Sequence, residues 1–172
     1  MKKLIVPICI LLLSTAALSQ TRSRTTRRGT PAAKPAASQA SAEAKTAGAT
    51  KVADQIKNLT RFVYLLGGVA KGIEQVDEAA RKNEASPAAL QQNAQNKATV
   101  KSSLENVRLG LDQLEIYFRS TPELQGYYTK LVGSASGAAA AEDQAAAGHF
   151  DQSGRTLLGV VNRLTDVLLV MR

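Results

Sequence analysis

A chain of 172 residues with 44% apolar content is long enough for one compact domain, an export signal and a tail. Aromatic residues make up only 4% and tryptophan is absent, so the core must be built from Leu, Val, Ile and Ala; a single His and a single Cys leave little material for a metal site or a nucleophile–base pair. The formal charge of +8 is uneven, with +2 in residues 1–19, +5 in residues 20–47 and +1 in residues 48–172. Any polyanionic partner therefore concerns the N-terminal segments, not the nearly neutral body.

Residues 1–19 read as a secretory signal: the basic flank Met1-Lys2-Lys3, the apolar run LIVPICILLL and the small-residue exit STAALS. Ala17 and Ser19 suit a Sec-type cleavage between Ser19 and Gln20. The run is shorter than the ~20 apolar residues of a spanning helix, so no transmembrane span is expected once the leader is removed. Cys9 lies inside the run behind Val6-Pro7-Ile8, which does not resemble a bacterial lipoprotein box. Cleavage would leave no cysteine, which suits an oxidising compartment and excludes disulfides. The expected location is secreted or periplasmic, in a bacterial envelope.

Residues 20–47 contain no Leu, Ile, Val or aromatic residue and are expected to form a disordered basic Ala/Thr/Pro-rich linker. Arg22, Arg24, Arg27 and Arg28 are candidate contacts for a polyanion, an anionic envelope polymer or nucleic acid. No aromatic side chain interleaves with them, so base stacking lacks support and nucleic acid is disfavoured. The plainer reading is a solvated tether.

Residues 48–172 show four helical segments, and together these predict an all-α, up-down-up-down four-helix bundle with a long first hairpin. The first runs over 51–85 as one helix with Val52, Ile56, Leu59, Val63, Leu66, Ala70, Ile73 and Val76 on one coiled-coil-like face, Gly67-Gly68 either bending it or letting another backbone approach closely. Ser86-Pro87 opens the second, whose face is Leu90, Ala94, Val100, Leu104, Val107, Leu111, Leu114 and Phe118. Ser120 to Glu123 ends it, with either Thr121 or Ser120 expected to cap the next helix. The third segment carries Leu124, Tyr128, Leu131, Ala135 and Ala138, with Gly133 and Gly137 allowing close helix approach, and stops at Gly148. Asp151 is expected to cap the fourth, which presents Leu157, Val161, Leu164, Leu168 and Met171; Leu158, Val160, Val167, Leu169 and Val170 widen that face to burial on more than one side. The polar stretches flanking Ser86 predict a first hairpin that projects beyond the bundle, its helices touching through Ala79, Ala80, Ala94 and Ala98.

The residues Gly148-His149-Phe150, Ser153 and Leu157 resemble the turn and second-helix start of a tetratricopeptide hairpin. Ala139, Ala140 and Ala141 replace the bulky upstream pattern, and no second copy occurs at a period of about 34 residues, so the family is not assigned.

Chemistry-bearing constellations are sparse. No GxSxG elbow or GxxxxGK[ST] loop occurs, and His149 has no second ligand in reach of a motif. Glu74, Asp77 and Glu78 share one helix face, but Lys71, Arg81 and Lys82 lie within a turn, which favours local ion pairs. Glu105, Asp112 and Glu115 are spaced like outward positions. Tyr117, Phe118, Tyr127 and Tyr128 form the one aromatic cluster and a candidate apolar contact patch, as core packing or as the mouth of a small ligand site. The expectation is an exported, non-enzymatic interaction or structural module with no cofactor, no metal and no catalytic residue. Its partner would be an envelope protein or another copy of itself; a polyanion binder and a carrier of a small apolar ligand are the alternatives.

Overall fold

The computed structural model describes residues 34–172, all of whose regular structure is helical. Helix α1 spans Lys34–Arg81 and α2 Pro87–Ser120; a 3-10 turn, Pro122–Leu124, leads into α3, Gln125–Leu131. Helix α4 spans Ser134–Ala146 and α5 Phe150–Val170. With α3 and α4 as one interrupted rod, the four rods run up, down, up and down, α1 packing on α2 and α5, and α4 on α2 and α5. The leader, the cleavage site and Arg22, Arg24, Arg27 and Arg28 lie outside the described residues.

The core is a single seam of Leu, Val, Ile and Ala with a few aromatics. On α1 the expected face is the observed one: Val52, Leu59, Leu66, Ala70 and Ile73 are buried, with Ile56 and Val63 packed beside them. Helix α2 contributes Val100, Leu104, Leu111, Leu114 and Phe118. Helix α5 contributes Phe150, Leu157, Val160, Leu164 and Val167, and its C-cap Met171 is buried with them.

Two turns show how the chain reverses. Ser86 caps α2 as its sequence predicts, its Oγ accepting from the Ala89 N–H at 3.2 Å, with Pro87 in the first turn. Helix α1 ends with Asn83 at φ 58°, its N–H bonded to Ala80 O and the Glu84 N–H to Ala79 O. Helix α4 ends the same way at Gly148, with the N–H of Gly148 on Ala145 O and that of His149 on Gln144 O. Both are Schellman closures, which satisfy carbonyls the helix itself leaves open.

Several expectations are corrected. Residues 34–47 are not part of a linker but the first turns of α1; alanine dominates there, and its helix propensity needs no apolar face. The single helix expected through Gly67-Gly68 is the one observed, because buried residues on both sides hold the helix through it. The third rod is broken at Val132-Gly133, where Gly133 takes φ 93°. Of the two caps proposed near Thr121, Thr121 does take the N-cap position with Pro122 in the first turn, without a side-chain cap bond, while Ser120 Oγ donates back to Tyr117 O and forms no capping box. Asp151 is not the cap of α5 but lies in its first turn, after His149. On α5 only Val160 and Val167 of the widening residues are buried; Leu158, Leu169 and Val170 are exposed.

The first hairpin does extend past the other rods. Gly48 lies against Leu124 and Met171 at one end of α5, and Phe150 at its other end shares a depression with Leu66 and Ala70. The 21 residues of α5 therefore match α1 from about Gly48 to Ala70, leaving both ends of the longer helix beyond it. The projecting hairpin is not joined through alanines, since Ala94 and Ala98 are exposed. Its link is Asn93, seven residues before Val100 on the same face and 5% exposed, whose Nδ2 donates to Asp77 Oδ1 at 2.7 Å and to Ile73 O at 3.5 Å. Lys97 Nζ meets the same carboxylate at 2.8 Å.

Candidate interaction surfaces

The polar side chains of the body that reach between helices mostly hold the fold together. Glu78 pairs with Arg81 and Lys82 on its own helix at 3.3 and 3.1 Å. These exposed pairs are each worth only a few tenths of a kcal/mol, ~0.3–0.5. Asp77 instead reaches across to α2. Glu74, Asp77 and Glu78 are thus divided between a solvated face and a hairpin clasp. Among the described residues no group of three or more His, Cys, Asp or Glu is arranged to hold a metal ion.

The interruption of the third rod carries the densest polar contacts. Glu115 of α2 is not an outward residue; its Oε1 accepts the Ala135 N–H at 2.9 Å, in the first turn of α4. Arg163 of α5 donates from Nη1 to Val132 O at 2.6 Å, just past the end of α3. An anion at a helix start and a cation beyond a helix end both oppose the backbone dipole. Ser134 Oγ, fully buried, donates to Leu131 O at 2.7 Å. Two turns along, Arg108 bridges Glu142 of α4 at 3.2 Å and Asp112 at 3.5 Å. Arg108, Asp112, Glu115 and Ser136 line an open depression of ≈ 410 Å³ between α2 and α4. Arg108 is shared between Asp112 and Glu142 and Glu115 is bonded to a backbone N–H, so these groups are engaged in holding α4 to α2.

A second depression, ≈ 340 Å³, lies where Lys97 and Lys101 of α2 face Glu142, Ala145 and Phe150. It is mixed in polarity, and Lys97 is committed to Asp77. His149 stands exposed beside it without a side-chain cap bond to α5.

The aromatic residues Tyr117, Phe118, Tyr127 and Tyr128 do gather at one end of the bundle. Phe118 is fully enclosed, with Tyr117 packed edge-on at 6.1 Å between ring centroids. Tyr127 and Tyr128 are half-buried against the same core. Lys51 Nζ sits 5.0 Å above the Tyr117 ring, a cation–π contact joining α1 to α2. Tyr117 alone borders an open groove, with Lys51, Gln55 and Gly110. Most of the cluster's ring surface is spent on holding the bundle end together.

The surface that sequence reasoning missed is the outer face of α1. Tyr64 is 82% exposed, Leu65 53% and Val69 38%, beside Gly67, Gly68 and Gly72. A Cβ added at any of the three glycines would find nothing within 4 Å. The signal is present in the sequence, since Tyr64, Leu65 and Val69 fall outside the apolar seam of their helix.

None of the family models, curated proteins or solved structures compared with the chain matches it. No helix among the described residues is long and apolar enough to cross a membrane.

Proposed function

We propose that the chain is an exported, non-enzymatic helical-bundle protein acting as an interaction or structural module in the bacterial envelope. The leader-like residues 1–19 support export, and the absence of cysteine from residues 20–172 suits an oxidising compartment. The observation that carries the interaction role is the division of labour on the body. Polar groups that reach between helices (Asp77, Arg108, Glu115, Arg163) close hairpins and helix ends, while large apolar side chains stand in solvent on α1. An apolar patch rimmed by polar residues is how soluble proteins present a docking surface. The test is fractionation of the native cell with N-terminal sequencing of the mature chain, followed by crosslinking in the compartment where it is found. A product beginning at Gln20 in the envelope, crosslinked to a protein, is expected. A cytosolic product with its leader intact overturns the reading.

The segregation of +5 onto residues 20–47 favours a second role, contact with an anionic polymer through Arg22, Arg24, Arg27 and Arg28. Such binding would weaken steeply with salt and would be independent of the bundle.

A further inference from the structure

We infer that the outer face of α1 is a self-association surface on which a second copy of the chain lies antiparallel, with the two-fold axis at Gly68. Three glycines in two turns of a helix interior cost about 1 kcal/mol each against alanine. Nothing among the described residues accounts for that cost, since Gly67, Gly68 and Gly72 all face open space there. Glycine on an exposed helix face lets another helix backbone come close, and Tyr64 and Leu65 beside it supply the apolar surface to be covered.

The charges identify the occupant and its direction. In an antiparallel pair centred on Gly68, each residue faces the one equally far on the other side of the axis. Tyr64 then lies over the partner's Gly72, a large ring against a bare backbone. Arg61 meets the partner's neutral Gln75. Lys57 falls opposite the partner's Ala79, one residue from the partner's Glu78 and within reach of its carboxylate, and Asp54 meets the partner's Lys82. All of these charged residues are exposed, and the Asp54–Lys57 and Glu78–Lys82 pairs within one helix already hold these groups on its surface, at 3.2 and 3.1 Å. Stacked about the axis, the two pairs become a four-charge cluster with opposite signs adjacent, formed twice by symmetry. A parallel, in-register pair would instead set Lys57, Arg61 and Lys71 each against its own copy. The same face is thus self-complementary in one direction and repulsive in the other. This association does not depend on export, so its failure and that of the envelope reading are separable.

Sedimentation velocity of the full chain over a concentration series tests it. A dimer is expected. Gly68→Leu should weaken it at least about tenfold by blocking the approach, while circular dichroism and melting temperature stay at or above those of the parent. Lys57→Glu should weaken it about tenfold, the contact occurring twice, and adding Glu78→Lys to that variant should restore the parent affinity. A chain still monomeric at about 100 µM overturns the inference. So does a dimer indifferent to both single substitutions, or one that the neutral Lys57→Gln tightens, which would mark a parallel pair.

Discussion

The carboxylate of Glu115, on α2, accepts a hydrogen bond at 2.9 Å from the backbone N–H of Ala135, the second residue of α4. The N-cap of α4 is Gly133, which has no side chain to offer, so the cap comes from a neighbouring helix. Glu115→Ala should therefore cost about 1–2 kcal/mol in urea unfolding, the worth of a lost cap with its dipole contribution. Glu115→Gln keeps an acceptor without the charge and should fall between. A stability unchanged by Glu115→Ala would show that α4 begins without this contact.

Three glycines with different surroundings make an internal series. At Gly137 a Cβ would stand 2.7 Å from Val160 Cγ2, so Gly137→Ala must push α4 and α5 apart, at about 1–3 kcal/mol. At Gly133 the backbone is at φ 93° and the new Cβ would meet Arg163 Nη1 at 2.8 Å. Gly133→Ala should cost about 1–2 kcal/mol from the left-handed backbone, and should also loosen the arginine's bond to Val132 O. Gly67→Ala, with open space around it, should stabilise the helix by up to ~1 kcal/mol. Thermal melts of the three variants check both the signs and the order.

Asn93 sits in an apolar seam with Nδ2 bonded and Oδ1 without a partner. Asn93→Leu should be neutral or stabilising by about 1 kcal/mol, since Asp77 keeps Lys97 and the new side chain meets Ile73. Asn93→Asp should be destabilising, because it sets a carboxylate against Asp77. That repulsion also fixes the sign of the pH dependence. Two facing carboxylates resist ionising together, so the folded state holds a proton more tightly than the unfolded chain, and stability returns as pH falls. Urea melts at neutral and mildly acidic pH would show the loss shrinking with acid; a pH-independent deficit would point to packing instead.

For the tail, removing residues 20–33 rather than 20–47 is the informative deletion, because the helix starts at Lys34. If Arg22, Arg24, Arg27 and Arg28 contact a polyanion, retention on an anionic polymer should drop at low salt and the bundle's melt should not change. Equal retention by the shortened chain would remove the polyanion role.

Where apolar periodicity is regular, the sequence is legible. Residues 52–73 and 100–118 fall on the faces expected, because a core made of Leu and Val leaves a heptad trace that no competing signal obscures. The seam is hidden at Asn93, a polar residue at an apolar position, and periodicity points instead to Leu90 and Ala94, which are exposed. The break at Gly133 is hidden for another reason. A glycine in an alanine-rich run reads as a packing site, and the groups that hold it open, Glu115 and Arg163, come from helices 20 and 31 residues away in the sequence from their respective bonding partners. Residues 34–47 read as a linker only if a helix is required to be amphipathic, and alanine alone can sustain one. The exposed face of α1 escapes notice because a search for a core discards whatever lies off it.

Helix α1 is 48 residues long, about 70 Å from Lys34 to Arg81, while its main neighbour α5 accompanies it for only 21. It works as a strut. The chain enters at one pole and the Asn83 turn is held at the other, stiffened there by the Asn93–Asp77 clasp, so whatever meets that turn is kept a fixed stand-off from whatever anchors the entry.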